Sequence, residues 1–409
     1  MSARACRFCA APLAESFCDL GMSPLSNAYV RPEDAGRMEP FYPLHAYVCG
    51  KCFLVQLEEF EPPERIFGDY AYFSSYSDSW LRHAEDYARR MTARLGLGAA
   101  SLVVEVASND GYLLQYFKAA GVPVLGVEPA RNVAQAAIER GIPTVTEFFG
   151  EALGERLARE RGKADLVLGN NVFAHVPALN DFTAGFARLL KPAGVLTLEF
   201  PHLLNLMREN QFDTIYHEHF SYFSFATARR VLARHGLEVF DVEKLATHGG
   251  SLRVYAAPAA AARPAAPGVA ALEAEERAAG LDRLDAYRAF AERVKATKRR
   301  ILAFLVEARD AGKTVAGYGA PAKGNTLLNY CGIRTDFLEF TVDRNPHKQG
   351  TLLPGTRIPV YAPERLLEAK PDYVVILPWN LKDEIAGQMA GVRAWGGRFV
   401  TFIPDVRVF

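Results

Sequence analysis

The sequence predicts an α/β protein in three parts, a small cysteine-bearing N-terminal unit followed by two Rossmann-like units. Three observations predict it. Two C-x-x-C pairs lie within the first fifty-odd positions. Between about residues 101 and 200, apolar β-branched runs alternate with helix-period segments, the pattern of a parallel sheet. A second strand, glycine turn and helix recur at "KTVAGYGAPAKGNTLLNYCGI".

The bulk composition narrows the function. A chain of 409 residues, half of them apolar, buries more than one core. Lys plus Arg and Asp plus Glu both total 47, so no basic field points to nucleic acid. Met1 to Pro12 lack the charged and apolar regions of a secretory signal, and no apolar run is long enough to span a bilayer, so a cytoplasmic protein without a membrane partner is expected. In that reducing compartment the six cysteines are read as ligands or buried thiols rather than as disulfides.

Cys6 and Cys9 form C-R-F-C, and Cys49 and Cys52 form C-G-K-C. Each pair is the short loop that lets two thiolates reach one tetrahedral ion, so a single structural Zn2+ held by all four is expected. A redox dithiol is the competing reading. Cys18 and Cys331, without such neighbours, are expected to be buried thiols.

After Glu61-Pro62-Pro63 comes a polar aromatic loop with Tyr70, Tyr72 and Tyr76, which serve either packing or a binding rim. A helix follows, capped near Ser77 to Ser79 and stopped by Gly96. "SLVVEV" is then a buried strand whose turn carries Glu105, Ser108, Asn109, Gly111 and Tyr112; "VPVLGVEP" is a second strand ending on Glu128 and Pro129; "ADLVLGNNVFAHV" is a third, followed by Asn170, Asn171 and His175. Ligands of a parallel sheet sit at these carboxyl ends. A carboxylate ending the second strand accepts ribose hydroxyls, which makes Glu128 the leading cofactor residue. The first turn keeps only Gly111 of a dinucleotide fingerprint, so its backbone approaches a pyrophosphate poorly. A cofactor with adenosine but no phosphate, S-adenosylmethionine, fits it better. An ordinary turn without ligand is the alternative.

Leu196 to Phe200 read as a further strand, and beyond it stands "YHEHFSYFS", residues 216 to 224. His217 and His219 flank Glu218, a grouping suited to tuning a base, with Glu218 orienting an imidazole and Tyr216 and Tyr222 donating hydrogen bonds to a developing oxyanion. "THGGSLRVYAA" reads as a turn into a strand that closes the sheet. "AAPAAAARPAAPGVAA" reads as a linker, and one long charged helix is expected from about Leu272 to Ala311. In the last third, Gly317, Gly319 and Gly324 approximate a dinucleotide turn with Asp343 ending the next strand, which opens an NAD-dependent oxidoreductase reading. Pro321 and Lys323 intrude on that turn, and Lys323 with Asn325 at a helix start suits a phosphate of a nucleotide sugar. A non-catalytic nucleotide-sugar-binding protein is the third reading.

Taken in order, the paired C-x-x-C, "EVASNDGYLL", "GVEP", "GNNVFAHV", "YHEHFSYFS" and "GYGAPAKGNTLLNY" resemble the S-adenosylmethionine-dependent nucleotide-sugar C-methyltransferases over nearly the whole chain. The resemblance implies a zinc-binding domain at 1–70, a Rossmann-like class I methyltransferase domain at 71–258, and a helical linker with a Rossmann-like substrate-binding domain at 259–409. It further implies methylation of a ring carbon, C-3′, of a dTDP-linked 4-keto-deoxy sugar, with His219 as general base and Tyr216 and Glu218 lining the sugar site. Tyr70, Tyr72 or Tyr76, with His175, His217 and His248, are implied substrate contacts, and a monomer is implied.

Overall fold

The computed structural model describes residues 4–68, 74–76 and 78–409. Tyr70 and Tyr72 lie outside the described residues. Seventeen strands among the described residues form three sheets.

The first sheet contains β1 (Glu15–Ser23), β2 (Tyr42–Val48) and β3 (Val55–Gln56). The central sheet contains β4 (Val103–Val106), β5 (Val124–Val127), β6 (Thr144–Val145), β7 (Ala164–Asn170) and β8 (Leu190–Pro201). β9 (Ser221–Tyr222) leaves it, and β10 (Leu237–Leu245) and β11 (Ser251–Pro258) rejoin it. Its order is β10-β11-β8-β7-β4-β5-β6, with β4 to β8 parallel and β11 antiparallel to both neighbours. β4 and β5 are buried at every position, as apolar runs covered by helices on both faces require. The expected closing strand is β11, but β10 stands outside it as the edge.

The third sheet comprises β12 (Val315–Tyr318), β13 (Thr341–Val342), β14 (Val360–Tyr361), β15 (Tyr373–Ile376), β16 (Arg398–Thr401) and β17 (Arg407–Val408), ordered β14-β13-β12-β15-β16-β17. The strand order reverses at β12, which runs parallel to β13 on one side and β15 on the other, the arrangement that opens a crevice at the strand ends.

Two expectations are corrected. The alanine-proline stretch is not all linker: Ala256 and Ala257 belong to β11, and Pro267 opens a helix, Pro267–Ala278, at the position where a missing N–H costs nothing. The single long helix is two, Pro267–Ala278 and Leu284–Asp310, divided at Gly280 with φ of +82°.

The three sheets are not separate beads. β9 pairs antiparallel with β3, so the chain just beyond His219 is a strand of the N-terminal sheet. Helix Leu284–Asp310 buries Tyr287, Phe290, Val294, Ile301 and Leu305 in one core with Phe17 and Leu44 of the first sheet, Leu328 of the helix Ala322–Cys331 and Val375 of the third sheet. Phe17 stacks on Phe290 at 4.8 Å. Among the described residues, no helix is long and apolar enough to cross a membrane.

Candidate active site and metal centre

The two C-x-x-C loops are built alike. Ala10 donates to the Cys6 carbonyl and Phe53 to the Cys49 carbonyl, each at 2.9 Å, and Ala10 and Phe53 both take left-handed φ, +57° and +61°. The Sγ atoms of Cys6 and Cys52 are 3.6 Å apart and those of Cys9 and Cys49 3.5 Å, and all four lie within 4.8 Å of one another. Four thiolates at about 2.3 Å from one Zn2+ stand roughly 3.8 Å apart, so the residues fit the ion. The Gln56 amide donates to Cys6 Sγ at 3.2 Å, a second layer that orients the ligand. Cys18 and Cys331 are buried thiols, each pushed up to about 12 by burial.

At the carboxyl ends of β4, β5 and β7 the chain collects buried polar groups. Glu128 Oε2 accepts from the Asn109 N–H and Oε1 from the Ala130 N–H, both at 2.9 Å, which fixes the carboxylate at the end of β5. Ala107, Asn109 and Asn171 adopt φ of +60°, +50° and +55°, strained conformations that gather where function requires them. Gly111 has φ of +76°, and a Cβ there would meet Ile142 at 2.9 Å, so the turn admits glycine alone. Both carboxylate oxygens of Glu105, the hydroxyl of Ser108 and both amide atoms of Asn170 are buried without a partner that meets hydrogen-bond geometry. Unpaired buried groups cost about 1–3 kcal/mol each, so this density is what a polar ligand would satisfy. Burial, reinforced by Glu128, pushes the Glu105 carboxyl well above its usual range. Tyr112 stacks at 6.0 Å on Trp80, and Pro129 completes the β5 turn. Ser74 donates its backbone N–H to Asn109 Oδ1 at 3.0 Å, bringing the turn Ser74–Tyr76, which includes Tyr76, over this pocket.

The histidine cluster lies beyond β8. His219 Nδ1 is 3.0 Å from the Thr214 carbonyl, and its Nε2 is 2.9 Å from the Tyr216 hydroxyl. A carbonyl only accepts, so Nδ1 carries the hydrogen and Nε2 presents its lone pair to the phenol. Burial, with His175 beside it, pushes His219 well below the usual imidazole range and keeps it neutral at pH 7. His175 sits edge-on to His219 at 4.7 Å, itself pushed by burial down to about 4. Tyr222 sits edge-on at 6.0 Å, its buried hydroxyl without a partner of good geometry. His219, Tyr222, Thr214 and Ser221 line an enclosed cavity of about 10 Å3, room for one water.

Of the other candidates, His248 and Lys323 stand near enough to His219 to lower it further by charge, and the rest turn away. Glu218 orients no imidazole: its Oε1 accepts from Asn27 at 2.6 Å, and burial pushes it up to about 7. His217 points to the N-terminal unit, where its Nε2 is 3.3 Å from the Pro43 carbonyl and its ring lies edge-on to Tyr42 and Phe60. His248 is exposed, edge-on to Trp80 at 5.1 Å. Asn325 is buried and donates to the Ser26 carbonyl at 2.6 Å, and so ties the helix start to the N-terminal unit rather than presenting its amide outward. Lys323 reaches the Asn380 side chain, its Nζ 4.4 Å over the Trp379 ring. The glycine turn after β12 has amides engaged within the protein: Gly319 donates to the Val342 carbonyl and Ala320 to Asp343 Oδ2, which leaves fewer N–H groups to face a pyrophosphate.

Residues absent from the sequence reading also converge here. Thr214, which selects the His219 tautomer, acts through its backbone and leaves no side-chain signal. Asp213, next to it, is buried and accepts the Trp379 indole N–H at 2.7 Å. Glu199, on β8, accepts from Arg253 at 2.8 Å, lies 3.0 Å from His83 and receives Thr247 at 3.0 Å.

The fold and the two pockets define an S-adenosylmethionine-dependent methyltransferase that carries a four-cysteine zinc-binding domain. Comparison with known proteins agrees part by part: a zinc-binding domain profile matches residues 6–67, a methyltransferase domain profile 80–242, and a C-methyltransferase C-terminal domain profile 246–404. The C-methyltransferase NovU of Streptomyces niveus is 41% identical over 406 residues, covering 98% of this chain and 96% of NovU. The chain belongs to this family of C-methyltransferases. An uncharacterized methyltransferase of Mycobacterium ulcerans is 31% identical over 142 residues, 34% of this chain and 51% of that protein. Among solved structures, the magnesium protoporphyrin IX methyltransferase of Synechocystis with bound S-adenosylhomocysteine covers 47% of this chain and 90% of its own, at 19% identity and a TM-score of 0.35.

Proposed function

We propose that the enzyme methylates a ring carbon, C-3′, of a dTDP-linked 4-keto-deoxy sugar through base-catalysed enolate formation, with His219 as the base. A sugar carbon is not nucleophilic until a neighbouring ketone acidifies its C–H bond. The observation that carries the reading is the Thr214–His219–Tyr216 chain: Nδ1–H held by a carbonyl, Nε2 basic and already paired with a hydroxyl. On this reading the bound sugar displaces the Tyr216 hydroxyl from Nε2, Nε2 then takes the proton α to the ketone, and the released Tyr216 hydroxyl, with Tyr222, donates to the enolate oxygen. A base of this kind contributes about 10²–10⁴-fold, and a donor to the oxyanion about 3 kcal/mol. Glu218, near neutrality beside Asn27, hydrogen-bonds a sugar hydroxyl in either charge state.

Glu105, Ser108, Asn109, Gly111, Tyr112, Glu128, Pro129, Asn170, Asn171 and His175 are the groups we assign to the cofactor, with Glu128 on the ribose and the unpaired atoms of Glu105 and Asn170 toward the remaining polar groups. S-adenosylmethionine supplies an electrophilic sulfonium methyl. The sugar nucleotide is assigned to the loop with Tyr70, Tyr72 and Tyr76, to His175, His217 and His248, and to Lys323 and Asn325; the positions of His217 and Asn325 make them supports of the site rather than contacts. On the resemblance alone we assign the bounds 1–70, 71–258 and 259–409, a monomer and a cytoplasmic location.

The test is product analysis. With a dTDP-4-keto-2,6-dideoxyhexose and [methyl-13C]S-adenosylmethionine, the reading predicts a new 13C methyl bonded to C-3′ in a long-range carbon–proton correlation. A methyl on oxygen, or no transfer while NAD is reduced, contradicts it.

A further inference from the structure

The turn that carries the base is gripped from the C-terminal unit at four points. Tyr330 lies edge-on to Phe212 at 5.4 Å, Thr326 Oγ1 donates to the Ile215 carbonyl at 3.1 Å, Asn210 donates to Thr297 Oγ1 at 2.7 Å, and the Trp379 indole donates to Asp213 Oδ2 at 2.7 Å. The last of these is the most telling. Asp213 is fully buried; the Trp379 indole bonds its Oδ2, the Lys323 ammonium faces it by charge, and the Thr214 N–H bonds the Gln211 carbonyl to close the turn. Thr214 is the residue whose carbonyl holds His219 Nδ1. Trp379 stands at the carboxyl end of β15, more than 150 positions along the chain, and is wedged in place: a Cβ on Gly249 would meet its ring at 2.5 Å. The Gln211 side chain donates to the Gly249 carbonyl at 2.8 Å, closing the other side of the same turn.

We propose that Trp379 and Asp213 are positioning residues for the base: the indole N–H anchors the Asp213 side chain, Asp213 lies within the Phe212–Thr214 turn, and the turn so anchored aims the Thr214 carbonyl that keeps His219 in its Nδ1–H tautomer. The C-terminal unit thereby couples its own docking to the readiness of the base. Without that carbonyl in place the neutral imidazole interconverts between tautomers, and only the Nδ1–H form presents a basic Nε2 toward Tyr216. This inference rests on the assignment of His219 as base.

Trp379→Phe keeps an aromatic ring beside Lys323 but removes the N–H, together with the outer edge of the ring that meets Gly249. Two measurements are made on the full chain. Ring 15N shifts of His219, assigned by their loss in His219→Gln, read the tautomer without any ligand; the wild type is expected to hold Nδ1–H, and W379F to give a mixture. Deuterium uptake next to the ketone of a dTDP-4-keto-dideoxyhexose, without S-adenosylmethionine, is expected to slow about tenfold in kcat with KM unchanged, the worth of one hydrogen bond to a charged group. Asp213→Asn gives a second route: if the residues act in one chain, the W379F/D213N double variant exchanges no more slowly than the slower single variant. A pure Nδ1–H signal in W379F overturns the proposal, as does a double variant whose losses multiply. If His219→Gln itself exchanges at the wild-type rate, the assignment of the base fails, and the tautomer measurement still decides whether Trp379 sets it.

Discussion

Glu199→Gln removes one negative charge from a fully buried ion pair near the site, and its cost follows from the geometry. Arg253 and Glu199 are both fully buried, 2.8 Å apart; Arg253 also reaches Glu243 at 3.2 Å and lies 4.5 Å over the Tyr87 ring. Breaking a buried pair by removing one partner typically costs about 3–5 kcal/mol, because a charge is left uncompensated. Glu243, partly exposed, compensates a share, so the low end, about 3 kcal/mol, is expected. For a unit of this size that is a fall of roughly 6–12 °C in the transition of the central domain. Calorimetry at pH 8 measures it, with Arg253→Met in the Glu199→Gln background as the control; the double variant recovers most of the loss, since an apolar side chain tolerates the site that a lone cation does not. The pH dependence has a definite sign. Arg253 and His83 hold the folded carboxyl of Glu199 below its usual range against burial. Its contribution is therefore complete above the unfolded pKa, about 4.3, and fades only as pH falls below that, so the gap between wild type and variant is constant from pH 8 to pH 5 and narrows under acid. A loss below about 1 kcal/mol, or a double variant worse than the single, refutes the reasoning.

Glu128→Gln exchanges one acceptor of the two clamping N–H groups for an amide donor, and weakens S-adenosylhomocysteine binding by roughly 10–100-fold in titration calorimetry, with thermal stability changed far less. Glu218 behaves oppositely to Glu199: burial raises its folded pKa to about 7, so ionising it opposes folding, and stability falls as pH rises from about 4 to 7. Glu218→Gln accordingly raises the melting temperature at pH 8 and leaves it nearly unchanged at pH 4, measured by scanning fluorimetry. Removing zinc with a strong chelator frees β3, which pairs with β9, and frees the Cys52 carbonyl that accepts from Thr227 and Arg230; both the first melting transition and proton exchange at the substrate are lost together and return with Zn2+. Retention of exchange by the metal-free protein contradicts that coupling.

Much of this arrangement is legible in the chain because it is local. The C-x-x-C loops, the strand that ends on Glu128 and the glycine demanded at 111 depend on neighbours within a few positions, and the tight grouping Tyr216 to His219 puts imidazole and phenol side by side in the chain as in space. What escapes depends on pairings set by the tertiary fold. Nothing in "YHEHFSYFS" indicates that its last residues form a strand with β3, or that His217 turns away to Tyr42 while His219 turns in. Glu218 is one residue from each histidine yet bonds Asn27, 191 positions away, because Tyr216–His219 is a tight turn, closed by the His219 N–H on the Tyr216 carbonyl, that sends its side chains different ways. The nucleotide reading of the last glycine turn follows its composition, whereas the fold engages its amides, Gly319 with Val342 and Ala320 with Asp343. The split of the long helix at Gly280 is masked because the charged pattern continues across it.

The central claim is that Nε2 of His219 removes a proton next to the substrate ketone before any methyl moves. Mass spectrometry of a dTDP-4-keto-dideoxyhexose in deuterated buffer without S-adenosylmethionine tests it most directly, comparing wild type with His219→Gln. The account predicts uptake of deuterium next to the ketone by the wild type and a loss of about 10²–10⁴-fold in the variant, which still binds S-adenosylhomocysteine. Equal uptake by both proteins contradicts it.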